Sequence, residues 1–159
     1  MCFVLDANSY HCMFNSDSNC YDDFKPLHDW LFGKDRTSLV IGGTTYKKEI
    51  RKMKKYWELL KELKNMRLVS DIQDDKVDEE EKRIADRVND KNFNDPHLIA
   101  LLCVSRCVIF ASKDKRAFPY VKMYRLYPKG YRPKIYHNSN NADKLLCDKN
   151  IVSLRNLCN

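Results

Sequence analysis

Ser38-Leu39-Val40-Ile41-Gly42-Gly43-Thr44-Thr45-Tyr46-Lys47-Lys48-Glu49 decides the fold of this chain. A run suited to a buried strand meets a tight Gly-Gly-Thr-Thr turn, and the period then changes. Ile50, Met53, Trp57, Leu60 and Leu63 recur at steps of three and four, the spacing of one helix face. The reading is a strand over 38–41 and a helix over about 46–66, with Thr45 as its N-cap. A strand handed directly to a helix is the repeating unit of a parallel sheet.

The same grammar recurs on both sides. Phe3–Leu5 is a short apolar strand ending at Asp6, and Asp6-Ala7-Asn8-Ser9 supplies turn and helix-start chemistry. Residues 21–33 form a helix with Phe24, Leu27, Trp30 and Leu31 inward and Gly33 at its end. Leu68-Val69 is a short strand or an extended link, and the acidic stretch 74–90 holds a short surface helix with a thin apolar face, chiefly Ile84 and Val88. Leu98–Val104 is almost wholly apolar, so the helix after Asp95-Pro96 is buried on most sides and central. Cys107–Ala111 is the clearest strand, and Ser112-Lys113-Asp114 ends it at the sheet edge that Asp6 occupies. Arg132–Tyr136 reads as a last strand, 137–143 as loop, and 143–157 as a helical turn or tail. Strands alternating with helices imply a three-layer α/β/α fold around a mainly parallel central sheet.

The 159 residues suit one domain, 1–159, with 137–159 a loop and helical tail. A chain of about this length buries roughly 68–70% of its unfolded surface, enough for a single core. The longest apolar run falls well short of the ~20 residues of a membrane span. Asp6 interrupts the N-terminal apolar run before it resembles a secretory signal, so cytoplasmic residence is the expectation. Seven cysteines, at 2, 12, 20, 103, 107, 147 and 158, include no Cys-x-x-Cys pair and read as reduced thiols, some in the core.

Charge is unevenly placed within the net +7. Residues 47–67 hold nine Lys/Arg against three Glu, residues 113–134 eight against one Asp, and the intervening 71–95 five against ten acids. Solvated helix faces account for many lysine runs. Beside a cluster of carboxylates, however, such segments form a track for a polyanion, with Lys48, Lys52, Lys113, Lys115 and Arg116 as candidate contacts.

That cluster is Asp6, Glu49, Asp95 and Asp114, each where a strand ends or a helix begins. In an open α/β sheet these positions converge on a cleft beyond the carboxyl ends of the strands. Taken singly, Asp6 is a helix cap, Asp95 an N-cap before Pro96, Glu49 one more charge on a lysine-rich helix and Asp114 a turn residue. Taken together, four carboxylates repel one another unless a cation holds them, and Mg2+ or Mn2+ prefers such oxygen ligands. Phosphodiester hydrolysis is the reaction that this chemistry serves.

Val4-Leu5-Asp6-Ala7-Asn8, the Gly42–Glu49 turn and helix, Asn94-Asp95-Pro96-His97-Leu98-Ile99-Ala100-Leu101 and Ile109–Asp114 together resemble the successive acidic motifs of PIN-domain nucleases. The order matches, with steps of 43, 46 and 19 residues between the acids, and the likeness continues into Tyr127–Gly130 and Pro133–Tyr136. The resemblance implies a PIN-like α/β/α fold and a metal-dependent nuclease, commonly acting on RNA and leaving a 5′-phosphate. It makes Asp6, Glu49, Asp95 and Asp114 the metal-site carboxylates, with Asn8 and Ser112 orienting them. Ser112 stands where many relatives carry threonine. His97 reads either as an acid–base group or as a packing and capping residue. An endoribonuclease, as a toxin held by an antitoxin or the effector of a defence system, is the leading expectation. A structure-specific DNA nuclease and a non-catalytic RNA-binding PIN-like module are the alternatives. Homodimers are common among such proteins, though no surface of this sequence marks an interface.

Overall fold

A computed structural model describes residues 2–33 and 37–150. The strands are β1 (Cys2–Leu5), β2 (Ser38–Gly42), β3 (Val69–Ile72), β4 (Ile109–Ala111) and β5 (Lys134–Tyr136). The helices are α1 (Tyr10–Phe14), α2 (Tyr21–Gly33), α3 (Thr44–Lys52), α4 (Lys54–Asn65), α5 (Asp74–Arg87), α6 (Pro96–Ser105), α7 (Phe118–Val121) and α8 (Ala142–Leu145). The five strands form one all-parallel sheet in the order β3-β2-β1-β4-β5. This is the three-layer α/β/α architecture expected from the alternation of strands and helices.

The chain steps outward from β1 through β2 to β3, then crosses back to β4 and β5. Right-handed crossovers therefore put α2, α3 and α4 on one face and α5 and α6 on the other. The reversal leaves a crevice between β1 and β4, at their carboxyl ends. Register fixes its floor: Leu5 pairs with Ala111, so Asp6 and Ser112 emerge side by side. Phe3, Val4, Leu5, Leu39, Val40, Ile109 and Phe110 are fully buried. Strands covered on both faces read as continuous apolar runs, which is why they stand out in the sequence.

The 46–66 segment departs from the expected single helix. It begins at Thr44 with Gly43 as N-cap and breaks at Met53, whose backbone leaves the helical region. Arg51, Lys52, Lys54 and Lys55 crowd like charges around that point, which a continuous helix would stack at spacings of three and four. The break also seats the Arg51 guanidinium over the Trp57 ring, 4.7 Å from its centroid.

The turn before α3 needs its glycines. A Cβ on Gly42 would lie 2.9 Å from the Ile72 carbonyl, and Gly43 has φ +82° with Val77 Cγ1 2.7 Å from where its Cβ would be. Val77 belongs to α5, so the acidic stretch is more than a thinly attached surface helix: it buries Val77 and Ile84 and supplies the caps of α3. Asp74 accepts from the Gly43 amide at 2.9 Å, and Asp78 accepts from the Thr44 amide at 2.7 Å and its hydroxyl at 2.6 Å. Carboxylates placed at a helix N-terminus also meet its dipole favourably. Thr45 does not cap the helix but donates its hydroxyl to Glu81.

The link at 68–69 resolves into β3, a half-buried edge strand, and the last strand is β5. Beyond it, 139–141 forms a 3-10 turn and α8 a single helical turn, while the part of the expected tail past residue 150 lies outside the described residues. Four cysteines depart from the reduced reading, Cys2 being bonded to Cys107, which bridges β1 to the entry of β4, and Cys12 to Cys20, whereas Cys103, in the core, and Cys147 are free thiols and Cys158 lies outside the described residues. Parallel neighbours far apart in sequence make the first pair, which spacing along the chain does not reveal. No described helix is long and apolar enough to cross a membrane.

Candidate metal centre

Asp6 anchors the crevice. It is 5% exposed, at the end of β1, and its amide donates to the Ala111 carbonyl at 2.9 Å. Its Oδ1 accepts from the Asn8 amide at 3.0 Å and its Oδ2 from the Ser112 hydroxyl at 2.6 Å. Ser112, fully buried, also accepts from the Asp114 amide at 2.9 Å, so one hydroxyl ties the ends of both central strands together. Ser9 adds a second tie by accepting from the Lys113 amide at 2.9 Å. Burial raises the Asp6 carboxyl above the ordinary aspartate range, against its two hydrogen bonds, and the charges of Asp114 and Glu49 push the same way.

Glu49 comes from the second turn of α3, not the first, because that helix starts two residues earlier than its pattern suggests. Its helix is pinned to β1 by Tyr46, whose hydroxyl donates to the Leu5 carbonyl at 2.6 Å and lies 3.1 Å from the Tyr10 hydroxyl. Asp95 precedes α6 as its N-cap residue, without a capping hydrogen bond from its side chain. That carboxylate is thus left free to face the crevice. Burial raises its pKa, as do the charges of Asp6, Glu49 and Asp114, while His97 opposes them.

His97 is 1% exposed, in the first turn of α6. Its Nε2 lies 3.2 Å from Glu49 Oε2, yet without the alignment of a hydrogen bond, and neither ring nitrogen has a hydrogen-bond partner. Burial lowers its pKa, but Glu49, Asp95 and Glu81 outweigh this and the net shift is upward. Ligand atoms of Glu49, Asp95 and His97 all lie within 4.8 Å of one another. Asp6 and Asp114 are close enough to shift the pKa of Asp95 but stand outside that group of three.

Asp114 is engaged elsewhere. Arg116 forms a two-pronged ion pair with it, 2.7 Å at the shorter contact, and holds its carboxyl below the usual aspartate range. Lys113 is likewise paired, with Asp23 at 2.8 Å, whereas Lys48, Lys52 and Lys115 are exposed and form no ion pair among the described residues. A cleft of about 450 Å³ opens beside the carboxylates, lined by Asn8, Asn92, Asn94, Asp95, Asp114, Arg116 and Tyr120. Asn92 and Tyr120 have no motif to announce them, whereas Asn94 opens the stretch read around Asp95. Tyr120 is placed by contacts the sequence does not show, its hydroxyl donating to Asp90 at 2.7 Å and its ring 4.7 Å from Phe93.

The donors fit a divalent cation. Two carboxylates and an imidazole nitrogen come within 4.8 Å of one another, with two further carboxylates nearby, and of the buried nitrogens of His97 only Nε2 meets a protein group, the Glu49 carboxylate. No family model, no curated protein and no solved structure matches this chain. The functional reading therefore stands on the residues and their placement.

Proposed function

We propose that this protein is a divalent-metal-dependent endoribonuclease, using Mg2+ or Mn2+ and an activated water to hydrolyse RNA phosphodiester bonds. One observation carries the reading: Glu49 and Asp95 come together with His97, and Asp6 and Asp114 lie near enough to act on the charge of Asp95, at the topological switch point of a parallel sheet, where α/β folds place their ligands. A divalent cation held by Glu49, Asp95 and their neighbours would supply a lowered water pKa and charge compensation for a phosphodiester.

The residues around it have separable tasks. Ser112 and the Asn8 amide fix the two oxygens of Asp6, and Tyr46 fixes the helix that carries Glu49. Lys48, Lys52 and Lys115 are exposed for backbone phosphates; Arg116 and Lys113 would reach them by leaving Asp114 and Asp23. Phosphate contacts of this kind orient a strand without reading its sequence. Cytoplasmic residence belongs to the same reading, and the Cys2–Cys107 and Cys12–Cys20 bonds count against it, since disulfides persist in oxidising compartments. A toxin or defence role, an antitoxin and a homodimer rest on the PIN-domain resemblance alone.

The test is cleavage of end-labelled single-stranded RNA and DNA of one sequence, with Mg2+, Mn2+ or a chelator. RNA cleavage that the chelator abolishes is expected. Cleavage confined to DNA would assign the alternative nuclease, and binding without cleavage of either would assign a non-catalytic module.

A further inference from the structure

An imidazole buried in an acidic crevice demands an explanation. Buried polar groups almost always find a hydrogen-bond partner, and leaving one unmade is destabilising. His97 is 1% exposed, its Nδ1 has no partner, and its Nε2 has no aligned hydrogen bond, only an ion-pair contact with a carboxylate. It is not in a general hydrophobic niche either. Nε2 faces Glu49 Oε2 at 3.2 Å, and with Glu49 and Asp95 it offers three ligand atoms within 4.8 Å. Its ring is steadied by Tyr46, 6.4 Å away between centroids, and by its place in the first turn of a buried helix.

Packing alone does not account for this arrangement. A histidine kept for shape would be served by a backbone acceptor, and one kept to cap α6 would bond the helix end; the ring does neither. What remains is a nitrogen donor pointed at two carboxylates, from a residue adjacent but one to Asp95 along the same helix start.

We propose that His97 Nε2 is itself a ligand of the metal, so that Glu49, Asp95 and His97 form a mixed oxygen–nitrogen site selective for Mn2+ over Mg2+. This rests on the metal-binding part of the preceding reading and adds the identity of the donor and of the ion. Carboxylate and water oxygens suit both ions, but Mn2+, as a first-row transition ion, accepts an imidazole nitrogen more readily than Mg2+ does. Mg2+ also dehydrates reluctantly and tends to keep its waters. Binding one nitrogen directly therefore separates the two cations. Asp6, held by Ser112 and the Asn8 amide, sits beside this triad.

Electron paramagnetic resonance on the full chain with Mn2+ tests this without any activity assay. Loss of the free-ion signal on titration reports binding, and electron spin-echo modulation reports a directly coordinated nitrogen. The wild type should bind Mn2+ with nitrogen modulation and at least about tenfold tighter than Mg2+, measured by competition. His97→Gln, which replaces the imidazole by an amide oxygen donor, should lose the modulation and bring the two affinities together. Mn2+ bound without nitrogen modulation would overturn the inference and leave the metal site standing. Modulation that persists unchanged in His97→Gln would overturn it too, since the nitrogen would come from elsewhere. No Mn2+ binding at all would overturn both this inference and the metal-dependent reading.

Discussion

Ser112→Ala removes one hydroxyl that serves both central strands, and its effect can be worked from the geometry. The hydroxyl donates to Asp6 Oδ2 at 2.6 Å and accepts from the Asp114 amide at 2.9 Å, in a residue with no exposed surface. A hydrogen bond to a charged group contributes about 1.5–3 kcal/mol, and the buried partners left behind cannot turn to solvent. The variant should therefore lose about 1.5–3 kcal/mol of stability, with Tm falling by roughly 2–4 °C per kcal/mol at this chain length. Urea unfolding followed by circular dichroism gives the free energy directly. A double-mutant cycle assigns it, because in the Asp6→Asn background the charged acceptor is gone and the loss from Ser112→Ala should shrink by about 1 kcal/mol. A loss under about 0.5 kcal/mol, or the same loss in both backgrounds, would refute the claim that Ser112 acts by holding the Asp6 carboxylate.

Gly43→Ala should destabilise by about 1–3 kcal/mol in the same unfolding assay, since φ is +82° and the new Cβ would fall 2.7 Å from Val77 Cγ1. Asp71 lies between Lys47 at 2.7 Å and Lys64 at 2.8 Å; burial raises its pKa, but the two lysines outweigh burial and set it below the usual aspartate value. Its folded pKa being the lower one, the stabilisation is full above the unfolded value near 3.9 and is lost as pH falls through the folded value. Asp71→Asn should thus cost about 1 kcal/mol at pH 7 and progressively less as pH falls below the unfolded value, and a cost that does not decline in acid would contradict the pairing. RNA binding by cleavage-deficient Asp95→Asn should weaken with salt, and adding Lys115→Gln should flatten the log–log slope by about 0.7 if that lysine meets one phosphate. An unchanged slope by fluorescence anisotropy would return Lys115 to the solvated surface.

The central strands were legible because their residues are covered on both faces, so Phe3–Leu5, Ser38–Ile41 and Ile109–Ala111 read as unbroken apolar runs. The bounds 21–33 of α2 coincide with its inward Phe24, Leu27, Trp30 and Leu31, and Pro96 marks the start of α6. What the pattern missed depends on partners distant in the chain. The break at Met53 lies inside a periodic apolar stripe that continues on both sides, so period alone cannot show it. The acids of α5 cap α3 across about thirty residues, which a reading of local composition takes for solvated charge. At the site, order and spacing picked out Asp6, Glu49, Asp95 and Asp114, but they did not show that Arg116 occupies Asp114 or that His97 faces Glu49. Those are side-chain encounters set by how α3, α6 and β4 meet, and no single segment contains them.

The account turns on whether the carboxylate crevice performs metal-dependent chemistry on RNA. Single-turnover cleavage of a labelled single-stranded RNA by wild type and Asp95→Asn, both shown folded by circular dichroism and both supplied with millimolar Mn2+, addresses that directly. Asp95→Asn keeps the side-chain volume and removes a charge from the centre, so its rate should fall by at least about two orders of magnitude, a loss near 2.7 kcal/mol of transition-state stabilisation. Equal rates in the two proteins, or cleavage by wild type that persists in excess chelator, would contradict the account.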